Sequence, residues 1–132
     1  MAYLLDRDTI LESLRDSEKV KARLLERASI PKAISVITYG ELLYGAKVSK
    51  QVEKNLATVR GLADIFPIIG VGRSIIETFI DIKRGLETEG QPLDDMDLMI
   101  AATALTLNYC LVTNNTRHFS RIQGLQLENW IE

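Results

Sequence analysis

Short apolar runs alternate along the chain with longer stretches in which apolar residues recur every three or four positions. Residues 2–6 (Ala-Tyr-Leu-Leu-Asp) read as a brief buried strand that ends in an acid. Thr9 is placed to cap a helix over 10–15, and Ser17 another over 18–28. Ile30-Pro31 interrupts that pattern, and the apolar, partly β-branched run 33–37 predicts a second strand. Thr38 is expected to cap a helix through Ala46, followed by a further helix over 50–63. Residues 65–69 predict a third strand, which Pro67 confines to a sheet edge or a strand start. A long amphipathic helix covers 73–89, closed by Gly90 and Pro92. Another opens at Asp94 or Asp95 and runs to about Leu107. Residues 109–112 predict a fourth strand, 116–119 a turn or short helix, and 126–128 a weak fifth strand.

Strands that alternate with helices argue for an α/β architecture with a mainly parallel sheet of four to five strands. At 132 residues the chain fits a single domain over 1–132. Its 46% hydrophobic and 26% charged content suits one compact core and excludes a disordered chain. The single cysteine, Cys110, forbids an internal disulfide and fits a reducing compartment. No stretch approaches the roughly 18 apolar residues of a membrane span. The N-terminal run lacks the basic region of a signal peptide, so a cytoplasmic location is expected. The net charge of −2 and pI near 5.5 run against a protein that grips nucleic acid by global charge. Any nucleic-acid role therefore requires a local basic patch or a bound metal.

In open α/β sheets, ligands bind beyond the carboxyl ends of the strands. Asp6 follows the first strand there. Glu41 lies about one helical turn after the second, and Thr113, Asn114 and Asn115 follow the fourth. Asp97 stands in the first turn of the helix that precedes the fourth strand. Each has a purely structural alternative. Asp6 can start a turn, Thr38-Tyr39-Gly40-Glu41 matches a capping box, and Asp97 suits a helix N-terminus. Asp97 resists that alternative best. Its neighbours three, four and seven positions on are Ile100, Ala101 and Ala104, so it lies on the inward stripe of its helix. An inward carboxylate costs several kcal/mol unless it is paired or metal-bound. Carboxylates without histidine or cysteine companions suit Mg²⁺ or Mn²⁺, and the lone His118 reads as a surface or capping residue rather than a zinc ligand. Metal-assisted phosphodiester hydrolysis uses such equipment, with the metal activating water and neutralising charge on the phosphate.

The segments Tyr3-Leu4-Leu5-Asp6, Ile34 to Gly45, Gly90-Gln91-Pro92-Leu93, Asp97 to Ala102 and Leu111 to Asn115, with Phe119 to Ile122 and Gly124 to Trp130 behind them, together resemble the PIN-domain family. Within it the VapC-type toxins of type II VapBC toxin–antitoxin systems are the most similar branch. The likeness runs nearly end to end; each motif alone is weak, and their order and spacing are specific. The resemblance implies a three-layer PIN-like fold and an acidic pocket holding Mg²⁺ or Mn²⁺. It further implies Mg²⁺-dependent endoribonuclease activity, homodimerisation and inhibition by a cognate VapB-type antitoxin. Carried over by position, Asp6, Glu41 and Asp97 would hold metal and water. Asn115 would complete the catalytic set where many relatives have a fourth acid, and Thr113 would support the pocket floor.

Three departures stand out. Arg7 replaces the family's usual threonine and is free either to contact RNA phosphate or to pair with Asp6 or Glu41. Asn115 is neutral, and Thr103 stands where many relatives carry histidine. Arg7, Lys83, Arg84, Arg117 and Arg121 are candidates for the substrate path, Arg84 because it precedes the turn leading to Asp97. Leu11, Leu14, Leu24, Leu42, Leu43 and Tyr44 form either core or an apolar dimer or antitoxin surface. A phosphoacceptor receiver domain is excluded because the third strand leads into Gly70-Val71-Gly72-Arg73 without an acid. A dinucleotide fold is excluded because Ile75 stands where the third glycine belongs. A flap-cleaving DNA nuclease would need more acids and helices than the chain offers. The remaining alternative is a catalytically impaired PIN-like module that binds antitoxin or RNA without cutting.

Overall fold

The computed structural model describes residues 1–132. Five strands form one sheet: β1 (Tyr3–Leu5), β2 (Lys32–Ser35), β3 (Ile68–Ile69), β4 (Cys110–Val112) and β5 (Leu127–Glu128). Their order is β3-β2-β1-β4-β5, and every pairing is parallel. β1 and β4, at the centre, are buried at every position, as strands covered on both faces must be. β3 is an edge strand, as Pro67 requires: the proline has no N–H to give, while its carbonyl accepts from Ile34 N–H at 2.9 Å.

Side chains alternate across the strands and separate the core into two halves. Tyr3, Leu5, Ile34, Cys110 and Val112 face one layer of helices: α1 (Arg7–Leu14), α2 (Glu18–Glu26), α3 (Val36–Lys47) and α4 (Val52–Ile65). Leu4, Ala33 and Leu111 face the other layer, formed by α5 (Arg73–Thr88), α6 (Asp95–Leu107) and α7 (Thr116–Phe119). The result is the three-layer α/β sandwich expected from the sequence. At the end of the chain Trp130 is wholly buried. Its ring meets Tyr3 edge-on at 5.1 Å, and the Arg27 guanidinium lies 5.5 Å from its centroid.

The expected boundaries shift in four places. α1 begins at Arg7 with Asp6 as its cap, and Thr9 is instead buried with its hydroxyl donating to Val112 C=O at 3.3 Å. β2 stops at Ser35, because the Ser35 hydroxyl accepts from Ile37 N–H at 3.1 Å and starts α3 earlier than expected. Val36 and Ile37 are therefore helical, and Thr38 caps nothing. α4 extends through Ile65, leaving β3 only two residues long. α5, α6 and α7 match the pattern closely. Gly90 takes the left-handed conformation (φ 72°) beyond α5, and Asp94 caps α6 by accepting from Met96 N–H.

The core makes two predictions. Thr38 Oγ1 is the one buried side-chain polar atom without a partner, so Thr38→Val should raise stability by about 1 kcal/mol in urea unfolding; a loss would reveal a hidden partner. Burial pushes the Cys110 thiol up to about 12. Iodoacetamide at about pH 8 should leave native protein unlabelled and label it completely in urea, as read by mass spectrometry.

Candidate active site

The carboxyl ends of β1 and β4 lie side by side, and this adjacency builds the site. Asp6 is the first residue past β1. One of its carboxylate oxygens, Oδ1, accepts from Arg7 N–H at 2.8 Å. The other, Oδ2, accepts from the Thr113 hydroxyl at 2.7 Å. Thr113, the first residue past β4, is wholly buried, and its Oγ1 in turn accepts from Asn115 N–H at 3.0 Å. The Asn115 carboxamide Nδ2 faces His118 Nδ1 at 2.9 Å. One chain of hydrogen bonds therefore runs from β1 through the β4 end to the start of α7 and holds the Asp6 and Asn115 side chains in place.

Glu41 reaches the same rim from α3. Because that helix begins at Val36, Glu41 sits in its second turn, and the capping-box alternative for it is overturned. Asp97 reaches the rim from the first turn of α6. It is half-buried, and Ile100, Ala101 and Ala104 beneath it lie in the core, as the inward stripe predicts.

The three acids influence one another. Burial raises the Asp6 carboxyl above its ordinary 3.8, against the pull of Thr113 and the Arg7 N–H, while Asp8 and Asp97 push it further up. Burial also raises Glu41 above 4.5, with Asp6, Asp97 and Asp8 adding to the shift and Arg7 opposing it. Asp97 is raised above 3.8 by burial and by Asp94, with His118 and Arg7 opposing. No ion pair neutralises Asp6, Glu41 or Asp97. Arg7 Nε lies 3.9 Å from Asp8 and makes no ion pair with Asp6 or Glu41, although its charge reaches Glu41 and Asp97.

No three of the chain's acids, histidines and cysteines stand close enough together to ligate one metal ion. The arrangement is an open rim of carboxylates. It fits a hard ion that takes one or two carboxylates directly and keeps several waters. A tetrahedral nitrogen–sulfur site is ruled out by the donor set.

The other sequence candidates divide. Arg84 is exposed and pairs with Glu87 at 3.6 Å on α5, and Lys83 pairs with Asp95 at 2.8 Å. Arg121 reaches Pro92 C=O at 3.5 Å, and Arg117 is exposed. None of these four lines the depressions beside Glu41. Thr103 is buried, with its hydroxyl on Met99 C=O at 2.8 Å. His118, read as a surface or capping residue, is instead half-buried against Asn115 and within electrostatic reach of Asp97. The spacing Asn115-x-x-His118 across one helical turn was the available signal.

A PIN-domain family model matches residues 3–125. The chain belongs to the PIN-domain family. Within that family it is 36% identical over 97 residues to the tRNA(fMet)-specific endonuclease VapC of Shigella flexneri, covering 74% of each chain. It is 30% identical to ribonuclease VapC1 of Haemophilus influenzae over 98% of each. Among solved structures, the crystal structure of VapBC2 from Rickettsia felis bound to a promoter DNA fragment superposes with a TM-score of 0.92. The identity there is 31%, covering 98% of this chain and 99% of that one. The parallel sheet and its flanking helices are thus a fold this chain shares with that relative over nearly its whole length.

The raised acids make a prediction that is independent of catalysis. A carboxyl whose folded pKa lies above its unfolded one binds protons more tightly when folded. Its contribution is fully present below the unfolded pKa and is lost as pH climbs through the folded one. Metal-free protein should therefore lose thermal stability as pH rises from about 3.8 through the raised values of Asp6, Glu41 and Asp97. Millimolar Mn²⁺ should restore the melting temperature at about pH 7, and Asp97→Asn should both flatten the pH dependence and weaken the Mn²⁺ response. Differential scanning fluorimetry reads all three effects.

Proposed function

We propose that this PIN-domain protein is a Mg²⁺-dependent endoribonuclease and the toxin half of a VapBC-type pair. The observation that carries the reading is the unneutralised rim of Asp6, Glu41 and Asp97 at the ends of adjacent parallel strands. Its support is the family membership and the ribonuclease names of relatives that match nearly end to end. Asp6, Glu41 and Asp97 would hold Mg²⁺, with Mn²⁺ as a substitute, and the ion when bound would lower the pKa of a water and neutralise charge on the phosphate.

The chain's own residues then have separable tasks. Thr113 fixes Asp6 through its hydroxyl, so that one carboxylate oxygen keeps a constant direction. Asn115, tied by its backbone to Thr113 and by its amide to His118, presents a neutral polar group where an additional acid would deepen the repulsion. Asp97, half-buried in the first turn of α6 and without an ion-pair partner, is available to hold the ion or to orient a water bound to it. Arg7, only loosely engaged with Asp8, is available to a substrate phosphate. Arg7 forms no ion pair with Asp6, Glu41 or Asp97, which favours the cleaving reading over the impaired one.

The partners follow from the same likeness. A VapB-type antitoxin would place a basic side chain among the carboxylates and replace the charge of the metal. A homodimer would bring two such rims into one particle. Two relatives carry the name tRNA(fMet)-specific endonuclease, which makes transfer RNA the first substrate class to try.

The test is cleavage of a tRNA panel by protein stripped of any partner. Cleavage should require Mg²⁺ or Mn²⁺ and stop with EDTA. Asp6→Asn and Asp97→Asn should each lower kcat by about 100-fold or more, and Thr113→Val by about 10-fold. Intact RNA with both metals, or undiminished cleavage by Asp97→Asn, rejects the reading.

A further inference from the structure

Arg7 and Glu41 form a ridge between two depressions. The first, about 520 Å³, lies between α1, α3 and α4; its walls carry Arg7, Arg15 and Lys54 above an apolar floor of residues such as Leu11 and Leu42. The second, about 470 Å³, lies between α3 and the start of α6 and is lined by Tyr44 and Met96. In a chain of net charge −2, the first depression gathers three cations against a single carboxylate, Glu41 itself. Lys54 has no acidic partner. Arg15 has only a solvent-exposed contact with Glu12 at 3.6 Å, and Arg7 one with Asp8 at 3.9 Å. Such exposed pairs exchange readily for a phosphate. On the other side of the ridge Tyr44 is 70% exposed, an aromatic side chain within one helical turn of Glu41.

We infer that an unpaired RNA strand crosses this ridge. Its phosphates on one side lie along the Arg15–Lys54 wall, and a base on the other side stacks on Tyr44. This local basic wall answers the difficulty raised by the acidic pI. The inference rests on the nuclease reading, since the phosphate on the ridge would be the one presented to Asp6, Glu41 and Asp97. A polyanion is favoured over a protein segment because the cations of the first depression are unpaired or weakly paired and Glu41, one of the three acids, lines both depressions. A single strand is favoured over a duplex because a base must leave its stack to reach the Tyr44 face, and an exposed ring binds any base that does.

The experiment uses a fluorescein-labelled stem-loop RNA, with cleavage followed over a range of KCl concentrations. The variants are Arg15→Ala/Lys54→Ala, Tyr44→Ala, Tyr44→Phe and, as a charge control lining neither depression, Lys19→Ala. The double variant should raise KM about 10-fold at about 0.1 M salt. It should also flatten the slope of log KM against log salt by about 1.4, roughly 0.7 for each single-strand phosphate that the variant leaves unneutralised. Tyr44→Ala should raise KM about 10-fold, Tyr44→Phe should restore it, and kcat should change less than about threefold. Lys19→Ala should leave both parameters alone. The same comparison by fluorescence anisotropy in an Asp97→Asn background reads the path without cleavage. Binding that weakens as described while wild-type protein cuts nothing would strike the nuclease reading and leave the path standing. Unchanged KM, dissociation constant and salt slope in the variants would overturn the path. The case against it would be the same if those variants kept normal RNA affinity but escaped inhibition by a purified antitoxin, since the depressions would then belong to a protein partner.

Discussion

Electrostatic repulsion among carboxylates at one end of a parallel sheet is the constraint on which the rest of the structure depends. Asp6, Glu41 and Asp97 come from the start of α1, from α3 and from α6, elements on both sides of the sheet, and all three are driven toward protonation by burial and by neighbouring acids. A chain under selection for stability alone would relieve this with a lysine or arginine. Here the nearest candidate, Arg7, forms no ion pair with any of the three, although its charge reaches Glu41 and Asp97. The cost is sustained by a rigid frame: two wholly buried central strands, a Thr113 hydroxyl locked on Asp6, and two core halves that pin the helices to either face of the sheet. Frame and repulsion together are what the proposed divalent-cation site rests on.

Much of this was legible in the residues. Alternating apolar runs and helical periodicity located all five strands and every long helix, because both faces of the sheet are covered and the period of each element survives in sequence. Asp97 betrayed itself by its apolar neighbours at helical spacing. What escaped the sequence was decided by single hydrogen bonds. Ser35 rather than Thr38 caps α3, which turns Val36 and Ile37 from strand to helix and frees Glu41 from a capping role. β-branched residues read as strand there, but a serine hydroxyl on Ile37 N–H outweighed them. His118 was undervalued for a related reason: its importance comes from contact with Asn115 and proximity to Asp97, which lies far from it in sequence.

The basic residues show the sharpest difference between sequence and space. Lys83, Arg84 and Arg121 lie near the acids along the chain, yet they engage Asp95, Glu87 and Pro92. Arg15 and Lys54, inconspicuous in sequence, converge on the groove that opens onto Glu41. A local cationic wall beside an acidic rim reconciles a weakly acidic protein with a polyanionic substrate, because at physiological salt only charges within about 8 Å of a phosphate act strongly on it. Net charge alone would have argued the other way.

On the proposed reading, the clustered acids share a divalent cation. Soaking a crystal of the partner-free protein in Mn²⁺ and collecting anomalous diffraction tests it most directly. An anomalous peak is expected at the rim, bonded to Asp6 or Asp97 and linked to Glu41 directly or through water. A rim without a peak, or one in which the Arg7 guanidinium has swung between Asp6 and Glu41 to fill the position of the ion, would contradict it.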